Sequence, residues 1–318
     1  MVISREVAKQ HGCDLMFEAA VAGAIPVITP LKQSLAANHL TEVMGIVNGT
    51  TNFILTKMAQ EGMEFWRHWH LRRSSDMPRL IRRQMEETRR SPQQGGDSGI
   101  HRVSTSCVSW EDVSTEGITG ITANDIRYAK EMGCCIKLIG MAHSEGEGIE
   151  AYVAPMLIPL GHPLSTVNDS YNAVFVRGDA VDNAMFLGRG AGELPTASAV
   201  AGDVFEVMRN LVHGCCGRVS CTCATRSLIV PMEEVRSRYF LRVLVEDKIG
   251  VLAMIANEFA GHRVSVQQMI QKERINDCAE IVVITDRVCE GDFKKAVHCI
   301  AEKPNTRKVE AVIRVYGE

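Results

Sequence analysis

YFLRVLVEDKIGVLAMIANEF, residues 239–259, opens the stretch whose reading decides the fold. Tyr239 to Val245 alternates with the period of a strand, and Asp247-Lys248-Ile249-Gly250 turns the chain into a helix carrying Val251, Leu252, Ile255 and Phe259. Beyond it, Val264–Lys272 and Ala279–Thr285 read as two further strands, Gly291–Ala301 as a second helix and Lys308–Val315 as a last strand. That order, β-α-β-β-α-β over residues 239–318, is the split-βαβ or ferredoxin-like plan.

Working outward, residues 213–238 form a hydrophilic connector that ends in PMEEVRSR. The connector carries HGCCGRVSCTC, but Cys215-Cys216 and Cys221-x-Cys223 lack the C-x2-C pairing of a structural zinc site, so with His213 they are read as ordinary thiols and a ring. Farther upstream, GRGAG (188–192) is a glycine-dense turn before a helix starting near Thr196, and Ala173–Val176 is a strand ending in a Gly178-Asp179 turn. Thr122-Ala123-Asn124-Asp125 caps a helix stopped by Gly133, followed by paired strands at Cys135–Gly140 and Ala151–Pro155. VMGIVNGTTNFILTKMAQEG (43–62) reads as a strand to Val47, a turn at Asn48-Gly49, a cap at Thr50 or Thr51, and a helix that Gly62 stops. In DLMFEAAVAGAIPVITPL (14–31), Asp14–Phe17 is expected to be a short buried strand before a Gly/Pro turn.

One interval breaks this regularity. Between Trp66 and Ser106 lie nine arginines, no lysine and no alanine, against fifteen arginines and eleven lysines in the remainder. Residues 79–90 could form one or two amphipathic turns, and 91–99 read as loop. A basic, tryptophan-bearing stretch can be a nucleic-acid patch, but the formal net charge of −3 argues for a solvated or poorly folded insert instead.

At 318 residues the chain is long enough for two or three domains, and 46% hydrophobic with 23% charged residues is a globular balance. The net charge excludes a global field for nucleic acid or an anionic membrane, and the longest apolar run, Ala19–Ile28, is broken by Gly23 and Pro26. No apolar segment follows Met1, so no signal peptide is expected, and eleven cysteines, an odd number in a long chain, suggest reduced thiols in the cytoplasm.

Four segments, LMFEAAVAGAIPVI (15–28), VMGIVNGTTNFILTKM (43–58), STEGITGITANDIRYAKEMG (114–133) and NAVFVRGDAVDNAMFLGRGAGELPTASAV (172–200), resemble homoserine dehydrogenases in order and spacing. DKIGVLAMIANEFAGHRVSVQQMIQK (247–272) resembles the ACT regulatory domain of bacterial members. The resemblance implies NAD(P)-dependent interconversion of aspartate semialdehyde and homoserine, on the route to threonine and methionine. It implies a mixed α/β and α+β chain: a remnant of a Rossmann nucleotide domain (1–40), a substrate domain that dimerises into a homo-oligomer (41–212), a linker (213–238) and a ferredoxin-like ACT domain (239–318) binding an amino-acid effector, expected to be threonine.

Carried over by residue, Glu18, Val21, Gly23 and Ile25 match positions that cage a monovalent cation, sodium, with carbonyl oxygens and one carboxylate. The equally bland reading of that turn is a close-packed crossover. Asn48, Gly49 and Thr50 match the loop beside the substrate, Gly190 a glycine against the nicotinamide nucleotide, and Asp247 and Gly250 the effector-side turn; plain capping competes with the first and last of these.

Two departures follow. No G-x-G-x-x-G precedes residue 14, so a dinucleotide domain is expected to be largely missing. The family also places G-Y-x-E-x-D-P-x-x-D-V-x-G-x-D-x-x-x-K between its helix and the V-S-x-E-D-V segment, where an acidic pair holds substrate and a lysine relays the proton. Here the interval is Glu64–Cys107, with no lysine between Lys57 and Lys130, so no catalytic residue is retained and the chain is expected to be inactive alone. Its near-family length suggests two compensating reading-frame slips, near Trp66 and Val108, within an otherwise registered sequence. A regulatory, effector-binding module without catalysis is the alternative reading.

Overall fold

The computed structural model describes residues 7–8, 10–62, 106–107, 113–145, 148–217, 225–226, 228–275 and 277–317. The expectations for residues 64–105, including the amphipathic turns at 79–90 and the loop at 91–99, lie outside the described residues, as do Cys221 and Cys223. The chain divides into two compact units, one built from residues 1–115, 138–153 and 166–229, the other from 116–137, 154–165 and 230–318.

In the first unit, β1 (Leu40–Ile46) runs between the 138–145 part of β2 (Cys134–Glu145) and β4 (Tyr171–Gly178), with the 148–153 part of β3 (Gly148–Pro159) beyond β2 and β5 (Asp182–Arg189) beyond β4. The pairs of β1 are antiparallel, with Met44 opposite Met141 on one side and Phe175 on the other. β1 feeds α1 (Gly49–Glu61), and the chain after β5 enters α3 (Glu193–Val212). Five residues make a core that fixes the strands against the first crossover: Ile25, Val27, Val43, Val174 and Val176.

Several boundaries differ from the sequence reading for local reasons. The cap of α1 is Asn48, whose side chain accepts from the amides of Thr50 and Thr51; Gly49 is already helical, and Gly62 ends the helix at φ 65°. Asp14–Phe17 is not a strand. Its polar groups are held by α3 and the segment after it rather than by a ladder, with Asp14 accepting from Asn210 Nδ2 at 2.9 Å and the Gly217 amide at 2.7 Å. β5 is a half-exposed edge strand that the sequence reading did not resolve, and α3 begins three residues before Thr196, with Pro195 tolerated in its first turn.

The second unit carries β6 (Arg236–Glu246), α4 (Val251–Gly261), β7 (Val266–Ile275), β8 (Cys278–Thr285), α5 (Glu290–Ala301) and β9 (Thr306–Val315). The sheet order β7-β8-β6-β9 is antiparallel throughout, the arrangement expected of the ferredoxin-like plan. Residues 156–157 of β3 add a parallel strand beside β9. On one face, Tyr239, Leu241, Val243 and Val245 meet Ile255 and Phe259 of α4 and Phe293, Ala296 and Ile300 of α5, and the Tyr239 and Phe293 rings stack with centroids 4.1 Å apart.

The opposite face is covered differently. α2 (Ala123–Glu131), capped reciprocally by Thr122 and Asp125, brings Asp125 and Tyr128 to that side. Arg242, 3% exposed, donates through Nε to Asp125 at 2.8 Å, through one terminal nitrogen to Glu280 at 2.5 Å and through the other to Thr122 at 3.1 Å; the Tyr128 hydroxyl also bonds Glu280. Burial would lower the Arg242 pKa, but Asp125 and Glu280 outweigh it and hold the guanidinium above its ordinary value.

Candidate functional site

Strand register builds the site in the first unit. Asn172 of β4 lies opposite Gly188 of β5, and Tyr171 opposite Arg189, so β5 delivers Gly190 beside Asn172. Ile46 of β1 pairs with Ala173, which brings the start of α1 to the same place. From the third direction the Ala24 amide donates to the Arg189 carbonyl at 3.3 Å, latching the 21–25 turn onto the end of β5. Sequence positions more than 160 apart are thereby juxtaposed by backbone pairing alone.

The junction closes because side chains are absent from it. A Cβ on Gly23, which sits at φ 64°, would collide with the Gly190 carbonyl; a Cβ on Gly190 would collide with the Asn172 carboxamide; and one on Gly49 would lie 2.8 Å from the Ser170 carbonyl and 3.1 Å from Asn172 Oδ1. Gly23, Gly49 and Gly190, nominated separately from the sequence, thus converge, with the Asn172 side chain wedged between the last two. Asn172 is 3% exposed and its Oδ1 is buried with no hydrogen-bond partner among the described residues. The sequence reading missed it, because nothing in NAV distinguishes a strand asparagine from a wedge.

Two shells of polar contacts brace this junction. Asn52 Nδ2 donates to the carbonyls of Val167, Asp169 and Tyr171, each at 3.1 Å, and Thr56 Oγ1 accepts from the Asp169 amide, so α1 fixes the loop entering β4. Lys57, the last lysine before the anomalous interval, points to Asp169 at 3.7 Å and donates to Gln60 at 3.1 Å.

Glu18 departs from its expected role. Its carboxylate accepts from the amides of Val27, Ile28 and Thr29 and from the Thr29 hydroxyl, and so caps the helical turns beginning at Ile28. A carboxylate saturated this way is not directed at an ion, and only carbonyl oxygens of the 18–25 turn are left for that task. The Glu18 amide in turn donates to Asp203 of α3 at 2.9 Å. Burial, with the Glu18 carboxylate nearby, pushes the Asp203 pKa up, although the Glu18 amide opposes the shift. Glu18, Thr29, Lys32 and Asp203 line a cleft of about 20 Å³, room for one water-sized occupant.

The turn from Gly188 to Gly192 ends at a Gly192 N-cap with φ 134°, which supplies no side-chain cap to the 20-residue α3. Glu193 in that first turn disfavours a phosphate and leaves a neutral group as the better fit. In the second unit, Gly250 caps α4 in the left-handed region at φ 91°, again without a side-chain cap, while the Asp247 amide donates to the Asp277 carbonyl and Gln271 reaches Asp247 at 3.4 Å. The described cysteines are free thiols, and no described helix is long and apolar enough to cross a membrane.

Comparison with known proteins agrees with this architecture. The family described as Homoserine dehydrogenase matches residues 26–69 and 100–205, interrupted within the arginine-rich interval, and the ACT domain matches 239–303. A homoserine dehydrogenase from Corynebacterium glutamicum is 39% identical over 98% of this chain and 70% of its own length; one from Bacillus subtilis is 36% identical over 98% and 72%. A solved homoserine dehydrogenase from Thiobacillus denitrificans superposes with TM-score 0.81 at 33% identity, covering 98% of this chain and 72% of that one. A Staphylococcus aureus homoserine dehydrogenase structure gives 0.69 at 26% identity, over 100% and 71%. With relatives this similar spanning both units, the chain belongs to the homoserine dehydrogenase family of oxidoreductases.

Proposed function

We propose that this chain carries the substrate-side and effector-side machinery of an NAD(P)-dependent homoserine dehydrogenase, interconverting aspartate 4-semialdehyde and homoserine, but not its proton relay. The convergence of Gly23, Gly49 and Gly190 around Asn172 is the observation that carries this reading. At the start of α1, Asn48, Gly49 and Thr50 hold the amino-acid end of the substrate, with helix-start amides and the Thr50 hydroxyl as donors to its carboxylate.

The residues at Gly190 fit the neutral nicotinamide end of the cofactor, since the α3 start is uncapped and Glu193 repels phosphate. When bound, that cofactor supplies the hydride. The chain's own part is to orient the aldehyde carbon against it and to keep the junction closed. A monovalent cation, sodium, sits on the carbonyls of Glu18, Val21, Gly23 and Ile25, bracing the turn that locks on Gly190. Asp247 and Gly250 receive an amino-acid effector, threonine, whose carboxylate meets the uncapped start of α4. Function in the cytoplasm, as a homo-oligomer joined through the substrate and ACT domains, completes the reading; the eleven cysteines support the compartment.

Reduction of an aldehyde leaves an alkoxide that must be protonated or stabilised. Residues 64–107 contain no lysine, and Lys57 is engaged with Asp169. The purified chain is therefore expected to show no change in nicotinamide absorbance with homoserine and NADP, while binding threonine in isothermal titration. Turnover at an ordinary dehydrogenase rate overturns the inactivity. Translating codons 64–108 in the other two frames should uncover G-Y-x-E-x-D-P; its absence from both eliminates the frame-slip explanation.

A further inference from the structure

We propose that Glu258, His262 and Cys299 form a zinc-class divalent-cation site on the helical side of the second unit. Glu258 lies in the last turn of α4 and His262 is that helix's C-cap, four residues on, so both project from one helix face; Cys299 comes from the last turn of α5. One ligand atom from each lies within 4.8 Å of the others, and all three residues are partly buried. A tetrahedral ion with sulfur at about 2.3 Å and nitrogen and oxygen at about 2.0–2.2 Å places its ligands roughly 3.4–3.6 Å apart. Rotamer adjustments of about 1 Å close the difference for partly exposed side chains.

The donor set names the class of ion. One thiolate, one imidazole and one carboxylate suit a borderline-soft cation, whereas calcium and magnesium collect oxygens alone. Three protein ligands leave a fourth position for water. Lys303 is the resident competitor, its ammonium 2.6 Å from Glu258. The Glu258 hydrogen bond, followed by its charge, holds the Lys303 pKa above the ordinary value. An arriving ion replaces that ammonium and ties α4 to α5, two helices that otherwise meet through Phe259 and Phe293.

Cobalt(II) titration of the full, reduced chain tests the site by its thiolate-to-metal charge-transfer band. Because other thiols are present, the difference between wild type and Cys299→Ser is the reading. Cys299→Ser should remove one thiolate-bound equivalent, and His262→Ala, which keeps the thiolate, should weaken that step by at least about tenfold. Lys303→Ala keeps all three ligands, removes the competitor and should tighten the same step several-fold, which guards against variants that merely fail to fold. Spectra and isotherms identical in wild type and Cys299→Ser, or no tightening in Lys303→Ala, overturn the proposal.

Discussion

The two units hold their decisive contacts by opposite means. In the first, the junction of the 21–25 turn, α1 and β5 is neutral and made mostly of backbone, and it closes because three residues lack a Cβ. In the second, α2 is bound to the sheet by a buried guanidinium with two carboxylates, and Arg314 repeats the device with Glu116 at 2.8 Å and Glu290 at 2.7 Å. Close backbone approach tolerates no added atom, while a buried ion cluster tolerates no subtracted charge. Substitutions should therefore fail in opposite directions: enlargement damages the first unit, and loss of charge the second.

The largest effect is expected where a charge is subtracted. Arg242→Met leaves Asp125 and Glu280 facing each other without a cation, both at most 2% exposed. Removing one partner from such a cluster costs about 3–5 kcal/mol. Amide hydrogen exchange should show lost protection across β6 and α2, with the first unit little changed. Neutralising the carboxylates as well, in Arg242→Met/Asp125→Asn/Glu280→Gln, should recover much of that loss, because no uncompensated charge remains. If the single and triple variants exchange alike, the cluster acts by shape rather than charge.

This contrast also explains what the sequence made visible. The β-α-β-β-α-β order was readable because each element carries its own period and stop: alternation at Tyr239–Val245, Gly250 before α4, Gly62 after α1. Arg242 falls on the face of that alternation opposite Tyr239, Leu241, Val243 and Val245. It is buried only because α2, more than 100 residues upstream, covers the second face, and no local pattern encodes a second layer. The three glycines could be nominated singly, but their meeting depends on the pairing of Asn172 with Gly188. Asp14–Phe17 misled in the reverse sense, since an apolar run beside Asp14 is held by Asn210 and Gly217 instead of a neighbouring strand.

An intermediate effect should come from adding one carbon to the junction. Gly190→Ala forces either the Asn172 carboxamide or the end of β5 to move, and overpacking of this kind costs about 1–3 kcal/mol. The damage should stay local, seen as raised exchange at Ala24 and Asn172, with β6 and α2 untouched. Truncating the wedge in Gly190→Ala/Asn172→Ala should relieve the clash and restore protection at Ala24. If the double variant is no better than the single, the collision lies with the Gly23 side of the junction and the wedge is secondary.

The smallest effect tests the boundary of the comparison, since Asp203 and Glu18 bring two carboxylates together at the first unit's crossover. Its raised pKa means that the folded state holds the proton more tightly than the unfolded chain does. The resulting contribution is favourable below the unfolded value of about 3.9, declines as pH rises through the folded pKa, and is a penalty at neutral pH. Asp203→Asn keeps an acceptor for the Glu18 amide and removes the repulsion from the Glu18 carboxylate. It should stabilise the crossover at pH 7 by less than about 1 kcal/mol, given partial exposure, and the gain should vanish toward pH 3. Exchange at Val27–Thr29, whose amides hang on Glu18, is the local gauge. A gain that persists at low pH would assign the effect to packing, and a loss at pH 7 would show that the Glu18 amide needs a full negative charge, making this corner of the first unit behave like the second.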